Sequence, residues 1–177
     1  ERFNEVYKND FKKYQMAMAL VATLRGIPQL YYGSEIGMAG DRNKGGDAAI
    51  RQDFPGGWKE DTNNAFLKSS RTDEQEHYFD FTSKLFQWRK TNEAVHFGKT
   101  THYIPENNVY VYFRYTDTKT VMVVVNNSDN NQTIKTNRFQ ENIEKFSTGK
   151  DILSSKTIDL KQDLTIESKS VLILELQ

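Results

Sequence analysis

The stretch Leu24-Arg25-Gly26-Ile27-Pro28-Gln29-Leu30-Tyr31-Tyr32-Gly33-Ser34-Glu35-Ile36-Gly37-Met38 contains a helix stop, a short apolar run and the start of a loop. Gly26 ends the helical pattern before it, because glycine accepts the left-handed turn that closes a helix, and Pro28 keeps the helix from resuming. Gln29 to Tyr32 then reads as a short buried strand ending at Gly33. Upstream, Ala17, Leu20, Val21 and Leu24 fall on one face of a helix from Asp10 to Arg25, which Asn9 or Asp10 can cap.

Downstream of Gly33, a Gly- and Asp-rich segment from Ser34 to Trp58 is too long for a simple connection, and loops of that length in compact domains are usually functional or disordered. A second helix is expected from about Thr72 to Lys90. Thr72 can cap it, Asp73, Glu74 and Glu76 sit at the positive end of its dipole, and Tyr78, Phe81, Leu85 and Trp88 form its apolar stripe. After Phe97 the pattern becomes β. Val109–Tyr115, Thr120–Val125 and Val171–Leu176 are rich in β-branched and aromatic residues, and weaker strands are expected around Thr133, Ile152, Ile158 and Leu164. Thr116–Lys119 and Asn126–Asn131 read as polar turns. Short strands at roughly even spacing point to an antiparallel sandwich. The organisation expected is therefore a helix–strand–helix portion over residues 1–96 and a β-sandwich over residues 97–177.

The Leu24–Met38 segment closely resembles the α-amylase superfamily, glycoside hydrolase family 13, and Phe54-Pro55-Gly56-Gly57-Trp58 looks like its neopullulanase and cyclomaltodextrinase branch. The resemblance implies a fold class of α/β plus all-β: the last helix–strand–helix part of a (β/α)8 barrel, followed by the antiparallel sandwich as a C-terminal domain. Ser34 stands where aspartate is frequent in that family, and a serine can serve the same loop hydrogen bonds. Ser34 would open one of the loops at the C-terminal ends of barrel strands, where such enzymes build their sites. The activity implied is hydrolysis of α-glucosidic bonds in maltooligosaccharides, cyclodextrins or pullulan with retention of configuration.

Retaining hydrolysis needs a carboxylate nucleophile and a carboxylic acid facing each other across the scissile bond. In the family these, and a third stabilising aspartate, come from earlier strands; resemblance places the third just before Arg2-Phe3. No catalytic residue is therefore assigned, and the chain alone is expected to be inactive. Glu35 ends the strand-like run, yet one acid has no partner to work against, and it reads as a loop anchor. Asp47-Ala48-Ala49-Ile50-Arg51 resembles the family's Asp-Pro-x-x-Arg motif, which holds a glucose unit on the non-reducing side. A carboxylate accepts from sugar hydroxyls and a guanidinium donates in a fixed fork. Asp47 and Arg51 are thus candidate substrate-binding residues; the alternative is an ion pair within the loop. Ala48 replaces the family's proline. Trp58 is the third candidate, for stacking on a sugar face, against packing on the barrel. Tyr31 and Tyr32 are expected to point opposite ways into packed surroundings.

His77, His96 and His102 lack ligand spacing, so no metal site is assigned and no cofactor is expected in this segment; calcium elsewhere in such an enzyme is left open. The sequons at Asn126 and Asn131 read as turn chemistry. With 24 acidic and 24 basic residues and no one-sided charge run, a nucleic-acid partner is disfavoured. The longest apolar stretch, near Met16–Leu24, is too short for a membrane span. The absence of cysteine excludes disulfides and thiolate metal sites but leaves the compartment open. Glu1-Arg2-Phe3-Asn4-Glu5 is neither a start methionine nor a secretion signal, and it reads as a cut inside a longer protein. The partners expected are an α-glucan oligosaccharide and either the rest of the barrel or a second copy of the chain. Two rival readings are a non-catalytic carbohydrate-binding module using Trp58 and the sandwich, and a purely structural sandwich.

Overall fold

Asp10 accepts a hydrogen bond from the backbone N–H of Lys13 at 3.2 Å and so starts helix α2 (Phe11–Thr23), which follows the short α1 (Arg2–Tyr7). The computed structural model describes residues 2–177. The chain divides into two compact units: residues up to 14 with 29–84, and residues 15–28 with 85–177. Among the described residues, no helix is long and apolar enough to cross a membrane.

In the first unit the core is aromatic. Tyr14 and Tyr78 meet edge-on with ring centroids 4.6 Å apart, and Phe11 contacts Tyr78 at 4.9 Å. The Tyr14 hydroxyl lies 2.9 Å from the Ser34 carbonyl oxygen and 2.6 Å from the Thr82 hydroxyl, which itself donates to the Tyr78 carbonyl. A buried tyrosine thus keeps its polar end satisfied while fixing the start of the long loop. Helix α3 (Arg42–Gly45) lies within that loop. Helix α4 (Asp73–Thr91) opens with a capping box, in which the Gln75 N–H donates to the Thr72 hydroxyl and the Thr72 N–H to the Gln75 side chain. Tyr78, Phe81 and Leu85 on its stripe are buried.

Helix α5 (Glu93–Phe97), capped by Asn92, leads into the β-strands of the second unit. Strands β1 (Lys99–His102), β2 (Val109–Tyr115), β3 (Thr120–Asn126), β5 (Thr148–Asp151), β6 (Thr157–Asp159) and β8 (Ser170–Leu176) form one antiparallel sheet in the order β1-β2-β3-β8-β5-β6. Strands β4 (Gln132–Ile134) and β7 (Leu164–Ile166) form the other, with helix α6 (Gln140–Ile143) beside them in sequence. Val111, Phe113, Met122, Val124, Phe139 and Leu174 fill the core of the sandwich. The opposite face of β2 is buried as well: Tyr112 bonds Thr23 of α2, and Arg114 reaches backbone carbonyls at the ends of α2 and α5. Burial on both faces explains why β3 reads as an unbroken apolar run. At the following turn, the buried amide of Asn126 donates to the carbonyls of Asn130, Ile166 and Glu167.

Several expectations are corrected. Residues 29–32 form no strand, and Leu30, Tyr31 and Tyr32 are partly exposed rather than buried. A strand exists through its ladder, and no neighbouring strand pairs with these residues among those described. Without a pleat to alternate them, Tyr31 and Tyr32 place their rings 4.6 Å apart, tilted by 31°, instead of on opposite faces. In α2 the buried residues are Tyr14, Met16, Met18, Ala19, Ala22 and Thr23, whereas Val21 and Leu24 of the expected face are exposed. That helix is apolar nearly all round, so periodicity alone does not select its packed side. The strand expected around Ile152 lies just before it, in β5, and β1 was not foreseen.

Candidate functional site

The loop that follows Gly33 is held from below. Besides the Tyr14–Ser34 contact, the Asn4 side-chain amide donates to the Met38 carbonyl at 2.9 Å. Gly37 takes a φ of 72°, and a Cβ there would fall 2.9 Å from the Tyr78 ring, so the loop must carry glycine where it crosses α4. At Gly40 a Cβ would lie 2.0 Å from the Ala49 carbonyl oxygen, so the segment from 40 to 50 closes on itself through backbone contact. Asp41 caps α3 by accepting from the Asn43 N–H at 3.0 Å.

Within that closed segment Asp47 precedes a 3₁₀ turn, Ala48–Ile50, whose buried Ile50 anchors it. The turn folds the chain back between Asp47 and Arg51, with the Arg51 N–H donating to the Ala48 carbonyl at 3.1 Å. Asp47 and Arg51 are accordingly brought together, with Arg51 Nη2 3.5 Å from Asp47 Oδ2. A second guanidinium is closer: Arg42 Nη2 lies 3.1 Å from Asp47 Oδ1. All three side chains remain substantially exposed. Arg51 also lines a cleft of about 520 Å³ walled by Phe3, Val6, Tyr7, Tyr31 and Ile50. Mainly apolar walls with one charged group at the edge are the usual make-up of a small-ligand site, and this volume is within the usual range.

Trp58 occupies a separate stretch of the loop. Asp61 Oδ2 accepts from the Gly56 N–H at 2.7 Å and the Trp58 N–H at 3.1 Å, which fixes the backbone while leaving the indole exposed. Glu35 lies in the 3₁₀ turn Ser34–Ile36, and its buried Oε2 has no hydrogen-bond partner among the described residues. Among the described residues no cluster of three or more His, Asp or Glu side chains could hold a metal ion. In the sequence, the Asp-x-x-x-Arg spacing singles out Asp47 and Arg51 as candidates, whereas nothing there points to Arg42 or to the apolar cleft. Arg42 gives no spacing signal, since chain closure at Gly40 brings it to Asp47.

Residues 1–136 match the family model described as the α-amylase catalytic domain, and residues 100–175 match the cyclo-malto-dextrinase C-terminal domain. A cyclomaltodextrin glucanotransferase of a Bacillus species (strain 1-1) is 31% identical over 123 residues, covering 70% of this chain and 15% of that protein. A cyclomaltodextrinase of Thermoanaerobacter pseudethanolicus is 28% identical over 140 residues, 79% of this chain and 21% of that protein. The chain therefore spans only about a fifth or less of the length of these relatives. The structure of an α-amylase from Geobacillus thermoleovorans complexed with acarbose superposes with a TM-score of 0.70 at 21% identity, over 94% of this chain and 33% of that one.

Proposed function

Because this chain belongs to the α-amylase family, we propose that it is the C-terminal portion of an enzyme that hydrolyses α-glucosidic bonds in maltooligosaccharides, cyclodextrins or pullulan with retention of configuration. Its own part in that reaction is binding. Asp47 accepts from the hydroxyls of a glucose unit, Arg51 donates to them, and Trp58 offers an apolar ring face to a sugar. The observation that supports this most is the pairing of Asp47 with Arg51, which itself lines an aromatic-walled cleft. The nucleophile and the acid are assigned to other parts of the enzyme, because the resemblance places them on earlier strands and retaining hydrolysis needs the two as a facing pair.

The test is hydrolysis of maltoheptaose, a cyclodextrin and pullulan by the full-length enzyme, with the anomeric form of the first product read by proton NMR. Release of the α-anomer is expected. Initial release of the β-anomer, or no cleavage of any of the three, would overturn the reading.

A further inference from the structure

We infer that Arg42 is a positioning residue that holds the Asp47 carboxylate in place for sugar binding. The inference rests on the sugar-binding reading of Asp47 and Arg51 and adds a residue outside that pair. Each Asp47 oxygen faces a different guanidinium, and the two contacts are unequal: 3.1 Å from Arg42 to Oδ1, and 3.5 Å from Arg51 to Oδ2. The tighter contact therefore comes from the residue outside the Asp-x-x-x-Arg spacing.

Arg42 extends from a fixed backbone. Its N–H donates to Glu5 Oε1 at 3.1 Å, its carbonyl accepts from the Gly46 N–H at 2.8 Å, and it follows the capping Asp41. The backbone of Asp47 shows why such a hold is useful. Asp47 has φ −66° and ψ −24°, the right-handed helical region, which a following proline would disfavour through its Cδ. Ala48 permits this conformation and gives up the rigidity a proline would supply. In this loop the Gly40–Ala49 backbone contact and the Arg42–Asp47 ion pair supply it instead.

The inequality also divides the work between the two arginines. Arg51 lines the cleft and has the looser hold on Asp47, so it turns to donate to a sugar hydroxyl oxygen. Arg42 keeps Asp47 Oδ1, leaving Oδ2 to accept from the sugar.

The test uses the full-length enzyme with maltoheptaose and compares Arg42→Gln, Arg42→Lys, Asp47→Ala and the double variant Arg42→Gln/Asp47→Ala. Arg42→Gln is expected to raise KM about 3- to 10-fold with kcat within about twofold, the pattern of lost uniform binding. Arg42→Lys recovers part of the loss, because an ammonium restores the charge without the fork. In the Asp47→Ala background, Arg42→Gln adds nothing, because the carboxylate it holds is gone. An equal additional loss in that background would overturn the inference by showing that Arg42 acts on the sugar directly. A raised KM in Asp47→Ala with wild-type KM in Arg42→Gln would also overturn it, while leaving the sugar-binding reading intact. Unchanged KM in Asp47→Ala itself would remove the underlying reading and the inference with it. If Arg42→Gln folds poorly, Arg42→Lys compared in the two backgrounds carries the same test.

Discussion

The hydroxyls of Tyr112 and Thr23 share a hydrogen bond across a sequence separation of 89 residues, joining β2 to the end of α2. Thr23 also donates to the Ala19 carbonyl of its own helix, so the Tyr112 hydroxyl is the donor in the pair. Beside it, the buried guanidinium of Arg114 donates to the carbonyls of Thr23, Val95 and Gly98, while Arg89 donates to those of Ala22, Val95 and Gly26. Two buried cations thus satisfy carbonyls that helix ends would otherwise leave orphaned. Tyr112→Phe should cost about 0.5–1.5 kcal/mol, one neutral hydrogen bond. Arg114→Met should cost about 2–4 kcal/mol, because it leaves buried carbonyls unpaired. Urea denaturation of both variants checks the order; equal losses would show that the carbonyl contacts of Arg114 contribute little.

The pH dependence has two limbs. Burial pushes the phenols of Tyr14 and Tyr112 well above the ordinary tyrosine value of 10.0. An acid whose folded pKa is raised contributes stability that is complete below its unfolded value and declines as pH rises past it. Stability should therefore fall above about pH 10, and the tyrosinate absorbance of these two residues should appear only with unfolding. On the acid side, the hydrogen bond from Arg71, followed by that from Lys68, holds Glu76 below the ordinary glutamate value of 4.5. Its contribution is present above that value and is lost as pH falls through the depressed one. Glu76→Gln should flatten the acid limb of a melting-temperature profile and leave the alkaline limb unchanged.

A third prediction concerns catalysis by the chain alone. A single acid, Glu35, cannot serve as both nucleophile and proton donor, so the purified chain should release no reducing sugar from starch, pullulan or cyclodextrin above background. Steady release that disappears in Glu35→Gln would make Glu35 catalytic and overturn the division of labour proposed above.

The first unit carries exposed Val6, Tyr31, Tyr32, Trp58, Phe66 and Leu67. Apolar surface of this kind favours association when contiguous. The chain alone is expected to self-associate with rising concentration, or to remain monomeric only when the rest of the barrel is supplied. Light scattering over a range of concentrations measures this, and a constant monomer mass for the chain by itself would contradict it.

How far the chain could be read depended on whether the decisive forces were local. β2 and β3 were legible because Val109–Tyr115 and Thr120–Asn126 combine β-branched side chains with the Thr116–Lys119 turn, where the Thr116 N–H donates to the Lys119 carbonyl. The stripe of α4 and its Thr72 cap were legible for the same reason. β1 was not, since Lys99-Thr100-Thr101-His102 has no apolar alternation and pairs with β2 alone. Tyr31 and Tyr32 were misplaced because strand alternation depends on a ladder that their own sequence does not contain. In the site, the Asp47–Arg51 relation follows from a four-residue spacing, whereas the approach of Arg42 follows from the closure of Gly40 onto Ala49.

The most direct test of the account is the kcat/KM of the full-length enzyme for maltoheptaose in Asp47→Ala and Arg51→Ala, with melting temperatures as the folding control. Each variant removes one charge-assisted hydrogen bond, worth about 1.5–3 kcal/mol. The account predicts a fall in kcat/KM of roughly 10- to 150-fold for each, with the melting temperature unchanged because both side chains are exposed. Wild-type kcat/KM in both variants would contradict it, and Asp47 and Arg51 would then be an ion pair of the loop and nothing more.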